Sequence, residues 1–238
     1  MMNYTRLLCK KETDSYFGSP AAYIFLIVFL IFSGWFFASP LFLANTSDMR
    51  SIFDMIPLLF MFFVPVITMG LLAKERSNGT IELLSTFPLT DEQIVMGKFW
   101  AALKLIVIGL LFTLIHFITI AFLGTNIDFG SIICGYLGLV LVGAVYASIG
   151  MFSSSLSNNQ IVSFIISFAI IFVLYMLQYS LFFIPAALAG FFQYISIGYH
   201  FSSIARGVID TRNIIYFLGL CIIFLRLAIT VLESRKWK

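Results

Sequence analysis

Charge is what this sequence has least of. Charged residues make up 11% of its 238 positions and hydrophobic residues 61%, whereas a soluble domain carries roughly 25% charged residues. That deficit excludes a soluble globular domain and places the chain in a bilayer. The net charge of +3 is too small to point to nucleic acid. Cysteine is scarce as well. Cys9, Cys134 and Cys221 are odd in number, no pair has metal-ligand spacing, and two lie in apolar runs, so they read as small buried hydrophobes. Catalytic patterns are missing too. A phosphate-cradling loop needs glycine at both ends and Ser or Thr after its Lys, but Gly97-Lys98 is followed by Phe99, and Glu92 stands where the first glycine would be. There is no His-Glu-x-x-His pair and no Gly-x-Ser-x-Gly elbow. No Asp or Glu is expected in the middle of a span, which argues against a carrier driven by a buried carboxylate relay. The chain is therefore expected to be no enzyme and to hold no cofactor or metal of its own.

What the sequence has in abundance is long apolar runs. A membrane-crossing helix needs about 20 such residues. Six runs qualify, approximately Ala21–Leu41, Met55–Ala73, Phe99–Leu123, Ile132–Phe152, Ile161–Phe183 and Ile214–Leu232. The expected fold is an all-α polytopic membrane protein, one domain over residues 1–238. The first run is too long for a cleavable signal and should remain as an anchor. With six spans, one side receives Arg6, Lys10, Lys11, Lys74, Arg76, Lys98, Lys104, Arg235, Lys236 and Lys238. The other receives Arg50, Arg206 and Arg212. This bias puts both termini in the cytoplasm. Arg226 falls inside the last span and is expected to snorkel towards the cytoplasmic face.

Four segments outside the spans carry information. In residues 1–20, Tyr4, Leu7 and Leu8 share one helical face, and Gly18-Ser19-Pro20 ends the helix, so an interfacial helix is expected. Residues 74–98 form the longest and most charged cytoplasmic loop. There Ser77-Asn78-Gly79 signals a turn, Thr80 to Phe87 suits a short helix stopped by Pro88, and Thr90 with Gln93 fits a capping box opening span three. A short helix displaying Ile81 and Leu84 away from the bilayer suggests a partner socket. The loop from Ser153 to Gln160 reads only as a turn. Residues 184–213 are apolar at first but punctuated by Pro185, Gly190 and Gly198. They suggest a short outer re-entrant hairpin, tolerated where backbone lies against protein or a water-lined cavity.

His116 is the one mid-span ionisable side chain, and thus an intramembrane polar site; a neutral imidazole bonded to a neighbouring helix is the plainer role. Gly138, Gly143, Ala147 and Gly150 in span four permit close helix approach, within the subunit or at a dimer seam.

Three stretches resemble the ABC-2 permease family, and within it the group associated with gliding motility. Glu12-Thr13-Asp14-Ser15-Tyr16-Phe17-Gly18-Ser19-Pro20-Ala21-Ala22-Tyr23 looks like that group's lead-in to the first span. The run from Ala73 to Leu89, with Glu75, Arg76, Gly79, Thr80, Ile81, Glu82, Leu83, Leu84 and Pro88, is similar to the family's cytoplasmic signature. Tyr199-His200-Phe201, Arg206-Gly207-Val208-Ile209-Asp210 and Leu232-Glu233-Ser234-Arg235-Lys236-Trp237 resemble the group's last outer segment and tail. The resemblance implies a type V ABC exporter-like fold in a bacterial cytoplasmic (inner) membrane. The permease would pair with a second copy or a related permease, and separate ABC ATPase subunits would bind ATP and Mg. The 74–98 loop would act as the coupling helix. Its alternative is a membrane-anchored mechanotransmission or assembly subunit that moves no solute and acts on a periplasmic partner. A passive channel is a third class, against which stands the lack of a polar pore stripe.

The charge bias makes a direct prediction. Cysteines introduced at Asn78 and Lys236 stay unlabelled by an impermeant thiol reagent in intact cells, whereas one at Asn126 is labelled. Labelling at position 78 from outside reverses the orientation.

Overall fold

The computed structural model describes residues 4–43, 49–80, 89–123, 128–180 and 185–234. Every regular element among them is helical: α1 Tyr4–Phe17, α2 Pro20–Leu43, α3 Arg50–Thr68, α4 Ala73–Ser77, α5 Asp91–Leu123, α6 Phe129–Leu156, α7 Gln160–Ser180, α8 Ala186–Ile195, α9 Ile197–Ala205 and α10 Thr211–Glu233. Six of them, α2, α3, α5, α6, α7 and α10, are long and apolar enough to cross a membrane. The sixfold reading of the sequence therefore holds.

Burial separates two central helices from four peripheral ones. In the most apolar window of α6, 67% of residues are buried, and in that of α3, 61%; in α2, α7 and α10 the share is 28% or less. The peripheral helices present Ile24, Ile31, Trp35, Ile165, Val173, Ile215 and Ile222 outward, as lipid-facing surfaces do. Helix α6 occupies the centre because its small residues let neighbours approach. A Cβ on Gly135 would come within 2.4 Å of the Phe53 ring, one on Gly143 within 2.9 Å of Ile106, and one on Gly150 within 1.9 Å of the Thr68 hydroxyl. Phe53 and Thr68 belong to α3 and Ile106 to α5, so these glycines are packing contacts inside one subunit. Cys9, Cys134 and Cys221 are free thiols and buried, as small apolar side chains are.

Two boundaries and one helix face differ from the sequence reading, each for a local reason. Helix α3 begins at Arg50 rather than near Met55, so Asp54 lies one turn inside a spanning helix. Asp54 stands near the end of that helix and not in its middle, because charge at the end of a span does not stop a helix. Helix α6 runs through Leu156, making Ser153 to Ser155 its last turn and not a loop. These hydroxyls satisfy carbonyls of their own helix and its neighbours: Ser155 donates to Phe152 O at 2.6 Å, and Ser153 to Ser163 O in α7 at 2.9 Å. In α1, Leu8 and Cys9 are buried while Leu7 is half exposed. The inward face is thus set by packing on α5, where Leu8 lies against Gly97.

Gly150 and Gly219 make a matched pair for testing this packing. Nothing lies within 4 Å of a Cβ at Gly219. Gly150→Ala is expected to destabilise by about 1–3 kcal/mol through overpacking. Gly219→Ala should be neutral or slightly stabilising, because alanine is the better helix former. Thermal unfolding of the detergent-solubilised chain reads the difference.

Candidate coupling site

The charged face of the bundle is organised around one lysine. Lys98 sits in the second turn of α5 with its side chain 1% exposed, and a buried ammonium is costly unless paired. Its Nζ donates to Glu12 Oε1 of α1 at 2.9 Å and to Glu75 Oε1 of α4 at 2.7 Å. The carboxylates are only 17% and 20% exposed. Lys98 was expected to be one more charge on a solvated loop. Burial reassigns it: the loop ends at Leu89, and Thr90 starts α5 with the expected capping box. Gln93 N donates to Thr90 Oγ1 and Thr90 N to Gln93 Oε1, both at 3.2 Å. Lys98 is therefore eight residues inside a rigid helix.

Each carboxylate reaches the lysine for its own reason. Glu12 follows Leu8 by one helical turn, and Leu8 packs on Gly97, where the missing side chain lets α1 lie close to α5. Glu75 is delivered by α4, whose start is fastened to α6. Ser154 Oγ accepts from Leu72 N at 2.9 Å and from Ala73 N at 3.0 Å, and donates to Met69 O at 3.0 Å. One buried hydroxyl thus satisfies three backbone groups where α3 breaks into α4, groups that would otherwise cost about 1–3 kcal/mol each. The triad carries one negative charge in excess, and Glu75 Oε2 is buried without a hydrogen-bond partner.

Beside the triad lies a cleft of about 290 Å³, lined in part by Glu12, Tyr16, Lys74 and Gln160. The Tyr16 hydroxyl donates to Ile67 O at 3.1 Å. Burial and then the Glu12 charge push its phenol well above the ordinary value, so it remains a neutral donor. Arg226 lies on the same face: its Nη2 is 3.7 Å from Glu92 Oε1, with both side chains more than half exposed. The expected snorkelling arginine has a carboxylate neighbour at the start of α5.

Of the residues expected to contact an ATPase, the structure places Glu75, Arg76, Gly79 and Thr80. Glu75 belongs to the triad. Arg76 is half-buried in α4. Gly79 has φ of +67°, a conformation glycine adopts without strain, and Thr80 Oγ1 donates to Glu75 O at 3.3 Å. Ile81, Glu82, Leu83, Leu84 and Pro88 lie outside the described residues. His116 is not part of this site. Its Nε2 is 3.5 Å from Ser33 Oγ in α2, and its ring stacks on Phe37 with centroids 4.7 Å apart, so it serves contact between α2 and α5. Reading the residues missed Glu12, Lys98 and Ser154. The available signal was the unusual lysine beside glycine at the start of an apolar run.

A second polar cluster lies on the opposite face. His200 is buried, with Nδ1 2.7 Å from Asn213 Oδ1 and Nε2 3.0 Å from Tyr194 O. Its ring stacks on Tyr216 at 3.9 Å, and the Tyr216 hydroxyl donates to Ile195 O. Helices α8 and α9 are thereby fastened to α10.

The model of the family described as ABC-2 family transporter protein matches residues 10–237. The match covers α1 from Lys10 onward, the triad, all six apolar helices and the His200 cluster. This chain belongs to the ABC-2 transporter family. Such membership makes it a multi-pass membrane protein whose partner is an ABC ATPase, in a family whose membrane subunits are generally not catalytic. No curated protein matches the chain.

The triad predicts a specific pattern of stability. Lys98→Met leaves two carboxylates facing a buried apolar side chain and is expected to cost about 3–5 kcal/mol. Adding Glu12→Gln and Glu75→Gln removes the uncompensated charge and should restore most of that loss. Thermal unfolding of the parent chain and the two variants in one detergent checks the order; equal stability of Lys98→Met and the parent chain refutes the ion-pair assignment.

Proposed function

We propose that the chain is the permease subunit of an ATP-driven exporter, with separate ATPase subunits docking on the face that carries α1 and the 74–98 loop. Family membership supports the ATPase partner, and the triad carries the mechanical part. Glu75 stands four residues before Gly79, at the root of the segment whose sequence resembles a coupling helix. A load on that segment would pass through Glu75 to Lys98 and into α5, and through Ser154 into α6. Both routes end in spanning helices. The charge bias supports placing this face in the cytoplasm of a bacterial inner membrane. We further propose two permease subunits per complex, identical or related, and ATP and Mg held by the partner.

One observation favours the mechanical alternative. The His200 cluster ties α8 and α9 to α10, so movement of α10 would displace a segment on the far face, where a periplasmic partner could be pushed. The likeness to the gliding-type group supports the same reading.

Docking on residues 79 to 84 is testable. Burying an unpaired charge at an interface anchor costs several kcal/mol in order of magnitude. Leu84→Asp is therefore expected to lose an ATPase that co-purifies with the tagged parent chain in mild detergent, the ATPase being identified by its Walker motifs in mass spectrometry. The six spans should stay folded, as read by an unchanged unfolding temperature. Full retention of the ATPase with coupled hydrolysis would overturn the assignment.

A further inference from the structure

Lys104 has no partner and lies on the outside of a spanning helix. It is exposed on α5, and among the described residues it makes no hydrogen bond or ion pair. An ammonium that faces lipid is costly unless something anionic meets it. Trp100, Lys104, Val107, Leu111 and Leu114 follow one another at spacings of three and four, so they share one face of the helix. The last three line a groove of about 550 Å³ between α5 and α6. We infer that this stripe is a binding site for an anionic phospholipid, with its phosphate on Lys104 and one acyl chain in the groove.

The groove suits a hydrocarbon chain and not a polar ligand. Its lining is aliphatic and aromatic, and the one polar tip belongs to Tyr136. That hydroxyl donates to Thr113 O at 3.1 Å, so it is satisfied inside the protein. From Val107 to Phe117 the α5 wall of the groove rises about 15 Å. This is the depth of one leaflet, half of a hydrocarbon core roughly 30 Å thick. Phe117 and Phe129 meet edge to face with centroids 6.1 Å apart, so an aromatic pair stands at the far end of the groove and the lysine at the near one.

Charge selects the occupant. Lys104 lies about 9 Å along α5 from Lys98 of the triad, and the acids of α5, Asp91 and Glu92, stand more than three turns back. Helical side chains lean toward the N-terminus, here toward the charged face. A lysine at this position therefore reaches back to the level of Trp100, which is 46% exposed and of the type that settles at head-group depth. Helix α1 packs on the same α5, Leu8 against Gly97, and exposes Arg6, Lys10 and Lys11. Basic side chains beside a bilayer surface draw anionic head groups to it. A second copy of the chain is the other candidate for an apolar groove inside a bilayer. It would shut the ammonium into a dry seam between spanning helices, at the cost of an unpaired buried charge. A phospholipid brings the counter-charge together with the chain.

The full chain in dodecyl maltoside is mixed with phosphatidylglycerol, phosphatidylethanolamine or phosphatidylcholine of the same acyl chains, and retained lipid is read by native mass spectrometry. Phosphatidylglycerol is expected to be held most tightly. Lys104→Gln should weaken its retention about fivefold, to the level of the two zwitterionic lipids, and Lys104→Arg should preserve it. A phosphatidylglycerol carrying a photoreactive diazirine in its acyl chain should label peptides within 107–117 and 129–140. Leu111 is half-exposed, so Leu111→Trp fills the groove without disturbing the core; it should remove that label and leave the unfolding temperature unchanged. Equal retention of the three lipids, phosphatidylglycerol retention that Lys104→Gln leaves intact, or label spread evenly over the six spanning helices overturns the site. A lipid-free dimer that Leu111→Trp dissociates assigns the groove to a second copy and overturns it as well. Neither an ATPase nor a membrane orientation enters these measurements, so failure of the coupling reading would leave the result unchanged.

Discussion

The arrangement of the α1 face depends on the solvation of a single ammonium. Lys98 is almost wholly removed from water, and an unpaired lysine there would cost several kcal/mol. Two carboxylates replace the lost hydration, and they come from two separate elements, α1 and α4. Glu12 brings α1 onto α5, and Glu75 brings the root of the 74–98 loop to the same point. A hydrophobic contact at this junction would hold the elements about as well but would allow them to slide. Charge-assisted hydrogen bonds of 2.7 and 2.9 Å fix direction as well as distance, and the proposed transmission of force through this junction requires both.

The same logic of scarce polar groups runs through the fold. In an apolar bundle every break in a helix exposes backbone groups that lipid cannot satisfy. Where α3 gives way to α4, Ser154 supplies the missing partners from α6. Where α8 gives way to α9, His200 and Tyr216 take the carbonyls of Tyr194 and Ile195. These two breaks lie on opposite faces, and each is tied to a spanning helix by side chains. At both of these breaks the irregular backbone lies where a neighbouring helix completes it.

This explains what was legible in the sequence and what was not. Six apolar runs, the turn at Gly79 and the Thr90–Gln93 box are local properties, readable from composition and spacing, and the helices appear where those runs lie. The glycines of span four were visible as small residues, but whether they faced a partner subunit or their own neighbours required the positions of Phe53, Ile106 and Thr68. Lys98 was misjudged because charge near a loop reads as solvated, and its burial depends on Leu8 meeting Gly97, 89 residues away in sequence. Ser154 was lost inside a polar stretch that looks like a turn. Asp54 fell outside the expected span because the apolar run begins after it, although its helix begins before. Each miss involves a polar side chain whose meaning comes from a contact distant in sequence, and hydrophobic periodicity carries no information about such contacts.

Helix α10 connects the two ends of the molecule. On the α1 face Arg226 lies beside Glu92, at the start of the helix that carries Lys98. On the far face Asn213 and Tyr216 hold His200 and the carbonyl of Ile195. Between them the helix runs unbroken from Thr211 to Glu233 and packs along α6. The exposed pair at Arg226 is weak, as surface ion pairs are, whereas the buried cluster at His200 is fully bonded. A tilt of α10 would therefore release the weak end first and carry α8 and α9 with the strong end. Contact alone does not establish coupling, but this difference in bond strength sets which end can move without the other breaking. It places the compliant end of α10 on the α1 face, beside the residues proposed to meet the ATPase.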